Sequence, residues 1–226
     1  MKKDNLEIWE KIFQENEWGK YPALSVVKFV ARNFYNVKDR ASIKILEIGA
    51  GVGANLWFCA REGFEVYAID GSQTAIQKMQ ERFTQENLPL QDVQLKVGDY
   101  FEQLEHFEDN YFDAVLDVES LYCNSFDRSK EIILKVFDKL KPNGVMLSQT
   151  FAEGTYGLQG KEVSYHALLP QSGPMSGKGF TRFTTREDID KLYKNEHNEI
   201  TNIERLELHL ENGEAIKEWL IELKKV

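Results

Sequence analysis

The sequence predicts an α/β fold in which a mostly parallel, doubly wound sheet is covered by helices on both faces. Two observations predict it. The middle of the chain contains five apolar runs with the length and composition of buried strands, at residues 43–48, 65–69, 93–97, 112–118 and 144–151. Helical patterns alternate with these runs, so successive strands need crossover connections and therefore run parallel.

The connecting helices are marked by their ends and by their apolar faces. One spans residues 72–86, where Ser72 is a suitable N-cap and apolar residues recur on one face. Another covers residues 127–140 and is stopped by the Pro-Asn-Gly segment that follows it. Two further helical patterns lie within residues 1–38, and we expect them to form a cap over the sheet.

The last third of the chain is organised differently. Residues 152–183 contain six glycines and two prolines with little periodicity, which is typical of a binding loop or lid on the substrate side. A helix over residues 186–194 follows and begins with the spacing of a capping box. Two strands, at about residues 200–210 and 218–224, are predicted to end the chain, although the pattern of the second fits a short helix equally well.

Length and charge limit the classes of protein that fit. A chain of 226 residues is expected to form one domain over residues 1–226. Its 28 Lys and Arg against 37 Asp and Glu give a formal net charge of −9, which argues against a nucleic-acid partner. No apolar run approaches the roughly 18 residues that cross a bilayer, so we expect a cytoplasmic protein with a small-molecule partner and no membrane partner. The oligomeric state is not predicted.

A glycine-rich turn follows the first predicted strand at residues 49–53. Glycines let the backbone turn sharply and approach a ligand closely. Asp70 closes the second strand, where a carboxylate can accept hydrogen bonds from ribose hydroxyls. Asp99 ends the third strand, where it can accept from an adenine amine while Tyr100 or Phe101 covers the ring. These residues predict a nucleoside ligand and do not choose between a dinucleotide and another adenosine cofactor.

Taken in order, five segments resemble the motifs of class I S-adenosylmethionine-dependent methyltransferases of the small-molecule type: residues 45–53, 68–72, 98–99, 112–115 and 140–144. The similarity covers about residues 40–151 and extends to residues 179–183. The resemblance implies a Rossmann-like, seven-stranded sheet with an antiparallel C-terminal strand. It also implies S-adenosylmethionine as the cofactor.

The resemblance implies roles for individual residues. Glu47 stands where many members of the family have Asp, and Tyr21 lies in an aromatic segment that would cover the cofactor and attract its sulfonium. By this resemblance, Glu47, Gly49 and Gly51 line the methionine end, Asp70 binds ribose, Asp99 binds adenine, and Asp117 or Val118 lies beside the sulfonium. The residues expected at the cofactor are Tyr21, Glu47, Gly49, Ala50, Gly51, Asp70, Gly71, Ser72, Asp99, Tyr100, Asp117 and Val118.

Methyl transfer from a sulfonium needs mainly alignment and proximity. A hydroxyl acceptor must in addition lose a proton, for which His166 in the glycine-rich loop and Glu119 after the fourth strand are the candidate catalytic bases. Tyr156, Tyr165 and Arg182 are the candidate acceptor-binding residues. No metal is predicted, because no set of hard-cation ligands can be assigned.

The predicted function is transfer of a methyl group to an oxygen or nitrogen of a small polar metabolite, with a sugar or sugar-linked intermediate as the first guess. Two alternatives stay open. A nicotinamide-dependent oxidoreductase would share the glycine loop and Asp70, but none of the nine tyrosines has Lys four positions later, the spacing of short-chain dehydrogenases. A non-catalytic protein that binds an adenosyl ligand would carry the same residues.

Overall fold

In the computed structural model, which describes residues 2–226 with side chains from Asn5 onward, a central sheet is built from seven strands. In chain order they are β1 (Lys44–Ile48), β2 (Glu65–Asp70), β3 (Leu95–Val97), β4 (Phe112–Val118), β5 (Leu140–Phe151), β8 (Asn198–His209) and β9 (Ala215–Lys225). Their spatial order is β3-β2-β1-β4-β5-β9-β8. Two short strands, β6 (Ala167–Leu168) and β7 (Thr181–Arg182), pair with each other inside the segment after β5.

The first five strands are parallel, whereas β9 runs antiparallel to both of its neighbours. The predicted fold, a mostly parallel seven-stranded sheet with an antiparallel C-terminal strand, is confirmed. The segment that fitted a helix or a strand equally well is a strand, because β9 lies between β5 and β8 and pairs with both along its length.

Seven helices accompany the strands in the described part of the chain: α1 (Lys2–Glu15), α2 (Leu24–Phe34), α3 (Ala54–Arg61), α4 (Gln73–Gln85), α5 (Tyr100–Leu104), α6 (Phe126–Lys139) and α7 (Arg186–Tyr193). Ser72 caps α4 by accepting a hydrogen bond from the Ala75 amide at 3.0 Å, as its sequence position predicts. Thr185 and Asp188 form the predicted capping box of α7.

The strand β5 begins earlier than the sequence predicts. The Pro-Asn-Gly segment belongs to β5, and the pairing with β4 shifts register between Phe112, opposite Leu140, and Ala114, opposite Val145. The extra residues are absorbed in a bulge at Asn143, which has a left-handed φ of 64°. The Pro-Asn-Gly segment therefore follows the end of α6 and lies at the bulge in β5.

Two apolar clusters cover the two faces of the sheet. Leu46 and Ile48 of β1 belong to the cluster that contains α6 and α7 side chains, whereas Ile45 belongs to the cluster that contains α2, α3 and α4 side chains. Because successive strand residues point to opposite faces, a strand covered on both sides must be apolar throughout. This is why the predicted strands appear as continuous apolar runs. No helix within residues 2–226 is both long and apolar enough to cross a membrane.

The N-terminal helices are placed differently from each other. The helix α2 packs on one face of the sheet, and its buried side chains join the apolar cluster there. The helix α1 lies against α4 and the segment after β5 instead. Asn5 anchors it: its Nδ2 donates to the carbonyls of Cys123 at 3.2 Å and Phe180 at 3.1 Å, and its Oδ1 accepts from the Phe180 amide at 2.8 Å.

We expect Asn5→Ala to lower the free energy of unfolding by about 1–3 kcal/mol, because it leaves the amide and a carbonyl of Phe180 without their partner. Urea denaturation measures this loss, and amide hydrogen exchange should rise in α1. The control is Asn16→Ala, whose exposed side chain bonds only its own helix and which should change stability by less than about 0.5 kcal/mol. Equal stability of the two variants would show that Asn5 does not anchor α1.

Candidate functional site

A cavity of about 370 Å³ opens at the carboxyl edge of the parallel strands. Its volume lies within the range of about 300–1,000 Å³ that is usual for small-molecule sites. The ends of β1, β2, β3 and β4 supply one wall, and α1 with residues 18–23 supplies the opposite wall. Met175 and Lys178 reach the cavity from the segment after β5.

The glycine loop after β1 is held tightly against its neighbours. The Gly49 amide donates to the Ile69 carbonyl at 2.7 Å, and Gly49 has a left-handed φ of 71°. A Cβ atom there would lie 1.9 Å from Ser120 Oγ. Only glycine fits this position, and the backbone itself forms the wall of the cavity.

Asp70 organises this loop as well as lining the cavity. Its Oδ2 accepts from the Gly51 amide and its Oδ1 from the Ser72 amide, both at 2.7 Å. Burial raises the pKa of the Asp70 carboxyl to about 6, although the backbone hydrogen bonds oppose that shift. The carboxylate therefore fixes the turn after β1 from the end of β2.

Glu47 is 2% exposed and lines the cavity at the end of β1. Its Oε1 accepts from Asn55 Nδ2 at 2.7 Å, and its buried Oε2 has no hydrogen-bond partner among the described residues. Burial raises the pKa of the Glu47 carboxyl to about 8, and the charges of Asp70 and Asp117 add to the shift. A buried oxygen without a partner is costly unless a ligand supplies a donor, so this position fits a cationic amine.

The end of β3 carries Asp99, which caps α5 by accepting from the Phe101 amide at 3.1 Å and the Glu102 amide at 3.3 Å. Arg128 Nη2 donates to the same Oδ1 at 2.9 Å. Beside them, the hydroxyl of Tyr100 accepts from Ser120 Oγ at 2.7 Å. The carboxylate of Asp99 and the ring of Tyr100 therefore face the cavity at this end in fixed orientations.

Aromatic rings of α1 and the segment after it form the opposite wall. Trp9, Phe13 and Trp18 contact one another with ring centroids 5.4–5.9 Å apart. Tyr21 lines the cavity with 80% of its surface exposed, and its ring meets Trp57 edge-on. The sequence predicts only that α1 belongs to a cap over the sheet. Nothing in it shows that this helix crosses the sheet edge and brings its rings to the cavity.

Most of the residues predicted for the cofactor lie around this one cavity. Those that line it are Tyr21, Glu47, Gly49, Ala50, Gly51, Asp70, Gly71, Asp99, Tyr100 and Val118, together with the predicted base Glu119. Ser72 lies behind the wall, where its hydroxyl caps α4 and donates to Glu10. Asp117 is fully buried, accepts from the Leu121 amide at 2.9 Å and from Ser148 Oγ, and so supports the turn after β4 from behind.

The predicted base His166 and the predicted acceptor-binding residue Tyr165 are not among the residues that line the cavity. His166 Nδ1 lies 2.7 Å from Asp188 Oδ2, and its ring stacks between Tyr165 and Phe183. The hydroxyl of Tyr165 donates to Asp188 Oδ1 at 2.9 Å. The buried carboxylate of Asp188 therefore turns both side chains toward α7, away from the residues that line the cavity.

The other two residues predicted to bind the acceptor also lie elsewhere. Arg182 is fully buried and donates to Thr184 Oγ1 at 3.0 Å and to Ser129 Oγ at 3.4 Å. Tyr156 lies where its backbone amide donates to the Ala215 carbonyl, and its side chain does not line the cavity. The same loop contributes Met175 and Lys178 instead, which no local pattern distinguishes from their neighbours.

Other residues that contact the cavity lining could not be identified from the sequence because their roles depend on distant partners. Asn55 connects Glu47 to the Ala23 amide, and Arg128 reaches Asp99 from α6. Within the described residues, no cluster of three or more His, Cys, Asp or Glu side chains could hold a metal ion.

Comparisons with known proteins agree with this geometry. A family model described as a methyltransferase domain matches residues 45–144. A ubiquinone biosynthesis O-methyltransferase from Rickettsia bellii is 23% identical over 212 residues, which are 90% of this chain and 85% of that protein.

Two solved structures share the fold. The first, a SAM-dependent methyltransferase from Methanosarcina mazei, is 21% identical with a TM-score of 0.65, over 81% of this chain and 92% of that one. The second, the 1,6-didemethyltoxoflavin-N1-methyltransferase of Burkholderia thailandensis, is 13% identical with a TM-score of 0.66, over 100% of this chain and 91% of that one. These comparisons confirm the predicted resemblance to class I S-adenosylmethionine-dependent methyltransferases, with S-adenosylmethionine as the cofactor.

Proposed function

We propose that the protein transfers a methyl group from S-adenosylmethionine to an oxygen or nitrogen of a small molecule bound beside Glu119. The observation that carries the proposal is the buried Oε2 of Glu47, which faces the cavity next to the glycine loop without a hydrogen-bond partner among the described residues. It marks the position of a cationic amine, and S-adenosylmethionine carries one.

The cavity residues fit the cofactor from one end to the other. Glu47 would accept hydrogen bonds from the α-ammonium group, while the glycine loop lets the amino-acid end lie against the backbone. Asp70 would bind the ribose hydroxyls, and Asp99 with Tyr100 would hold the adenine. When bound, the cofactor supplies a methyl group activated by a neutral leaving group, so the protein mainly has to align the acceptor and exclude water.

The part of the cavity beyond the glycine loop would hold the acceptor. The cavity is lined there by Glu119, Tyr122, Lys178, Trp9 and Trp18. The aromatic rings favour a flat or partly apolar acceptor, whereas the sequence alone suggested a sugar. Methylation of oxygen is supported by the name of the Rickettsia relative, and methylation of nitrogen by that of the Burkholderia enzyme.

Asp70→Ala should weaken binding of S-adenosylhomocysteine by about 1.5–3 kcal/mol, the scale for loss of a charged hydrogen-bonding group. The Gly51 amide would lose its acceptor as well, so the loop should also become less ordered. Isothermal titration calorimetry measures the affinity. Asp190→Ala is the control, because Asp190 is exposed and pairs only with Arg186. An unchanged dissociation constant in Asp70→Ala would remove Asp70 from the cofactor site.

Cofactor binding should release protons at pH 7. Glu47 has a pKa of about 8 in the free protein and is then mostly protonated, and an ammonium ligand would lower that pKa. Calorimetry in buffers of different ionisation enthalpy counts the protons. Glu47→Gln should release fewer protons than the wild type, whereas the exposed Glu187→Gln should release the same number. An equal count in wild type and Glu47→Gln would argue against an amine at Glu47.

Labelled S-adenosylmethionine incubated with fractionated small metabolites should give a labelled product that depends on the protein and is inhibited by S-adenosylhomocysteine. Mass spectrometry of the product identifies the acceptor. Tight binding of S-adenosylhomocysteine with no labelled product from any fraction would favour the non-catalytic binder. Binding of reduced nicotinamide in its place would favour the oxidoreductase.

A further inference from the structure

The strand order determines which end of the cavity receives the acceptor. Asp99, Asp70 and Glu47 stand at the carboxyl ends of β3, β2 and β1, which are neighbours in that order. Glu119 follows the next strand, β4, and β5 and β9 lie beyond it. If the cofactor lies along this edge as proposed, the group that receives the methyl lies on the side of Glu119.

The backbone at Glu119 is held in an unusual conformation. Its φ of 53° is left-handed, which is uncommon for a residue other than glycine. The Glu119 amide donates to the Gln149 carbonyl at 2.9 Å, which fixes the turn. The side chain lines the cavity and is exposed toward it. A strained residue with a titratable side chain at a cavity wall is a candidate for a role in the chemistry.

A second carboxyl group lies directly behind Glu119. Glu218 of β9 is 7% exposed and does not line the cavity. Gln149 Nε2 donates to both Glu218 oxygens at 3.1 Å and to Glu119 Oε1 at 3.4 Å. Ser25 Oγ donates to Gln149 Oε1 at 2.5 Å, which sets the amide so that its NH₂ group faces the two carboxyls. The pair is thus built by β4, β5, β9 and α2.

The two carboxyl groups lie close together, because Gln149 Nε2 reaches both, so a negative charge on Glu218 opposes ionisation of Glu119. Desolvation and the Glu218 carboxyl raise the pKa of Glu119 to about 8. Of the other charges near Glu119, Lys178 from the segment after β5 lowers this pKa, and Asp117 of β4 raises it. Because Glu218 does not line the cavity, it affects a bound ligand through its influence on Glu119.

We propose that Glu119 takes the proton from a weakly acidic hydroxyl of the methyl acceptor, a phenol or an enol, and that Glu218 is the positioning residue that makes Glu119 basic enough to do so. The inference rests on the proposed function and deepens it. In the step, the hydroxyl oxygen forms its bond to the methyl carbon, the electron pair of the carbon–sulfur bond stays on sulfur, and the O–H proton passes to a Glu119 carboxylate oxygen. The negative charge of Glu119 and the positive charge of the sulfonium disappear together.

The match in acidity selects the class of hydroxyl. A phenol has a pKa of about 10, as the tyrosine side chain does, which is about two above the pKa of Glu119 in this pair and about six above that of an ordinary Glu. The hydroxyl of a sugar is a much weaker acid than a phenol, with a pKa far above that of Glu119, so Glu119 is not expected to deprotonate it. Lys178 adds a positive charge near Glu119, so a neutral acceptor is favoured over a cation. The rings of Trp9, Trp18 and Tyr122 are suited to a flat aromatic or enolic group.

The test is a carbon-13 NMR titration of the glutamate carboxyls in the full chain with S-adenosylhomocysteine bound, with Glu119→Gln used to assign the resonance. In Glu218→Gln the midpoint of Glu119 should fall by at least one pH unit, a tenfold loss of proton affinity, because a like charge is removed and an amide can donate to the carboxylate. Lys178→Met should move the midpoint upward. Glu222→Gln, on the same strand with its carboxylate paired to Arg32, should leave it unchanged.

An unshifted Glu119 midpoint in Glu218→Gln would overturn the role of Glu218. If Glu218→Gln does not fold, Lys178→Met provides the test instead. An unshifted midpoint in that variant would overturn the proposal that neighbouring charges set the pKa of Glu119. With the acceptor identified by product analysis, the acidic limb of kcat/KM should move to lower pH in Glu218→Gln, and a product methylated on a sugar hydroxyl or on nitrogen would overturn the acceptor class. Failure of the wild type to bind S-adenosylhomocysteine would overturn the proposed function itself.

Discussion

The free-energy cost of holding carboxyl groups away from bulk water governs the architecture at one edge of the sheet. Glu47, Asp70 and Asp117 are all buried there, and burial raises the pKa of each above its ordinary value. Such groups persist only where hydrogen bonds compensate them. Two of them are compensated by the backbone: Asp70 by the amides of the glycine loop and of α4, and Asp117 by the turn after β4.

Glu47 differs from these two because one of its oxygens is left without a partner among the described residues. Asp70 and Asp117 hold the loops in place through backbone hydrogen bonds, and we propose that Asp70 also binds the cofactor. Glu47 has an acceptor oxygen that we propose for the ammonium group of the cofactor. The carboxyl groups of Glu119 and Glu218 carry the same free-energy cost at the other end of the cavity, where Gln149 Nε2 donates to both.

The wall opposite the sheet edge depends on long-range contacts. Asn5 joins α1 to the turn after β4 and to the segment before β7. Trp9, Phe13 and Trp18 then face the strand ends across the cavity. These rings line the cavity where we propose that the acceptor binds, so the docking of α1 determines how well that region is enclosed.

The sequence by itself determined the features that depend on neighbours along the chain. Strand and helix positions follow from local periodicity, and the glycine loop and Asp70 follow from their places at the ends of apolar runs. Only the tertiary structure decided the rest of the site. Gln149 and Glu218 are 69 positions apart, and Asn5 and Phe180 are 175 apart, so their contacts depend on strand order and helix docking rather than on local pattern. His166 appeared suited to catalysis by its pKa and its loop, but its orientation was set by Asp188, a partner that no local periodicity reveals.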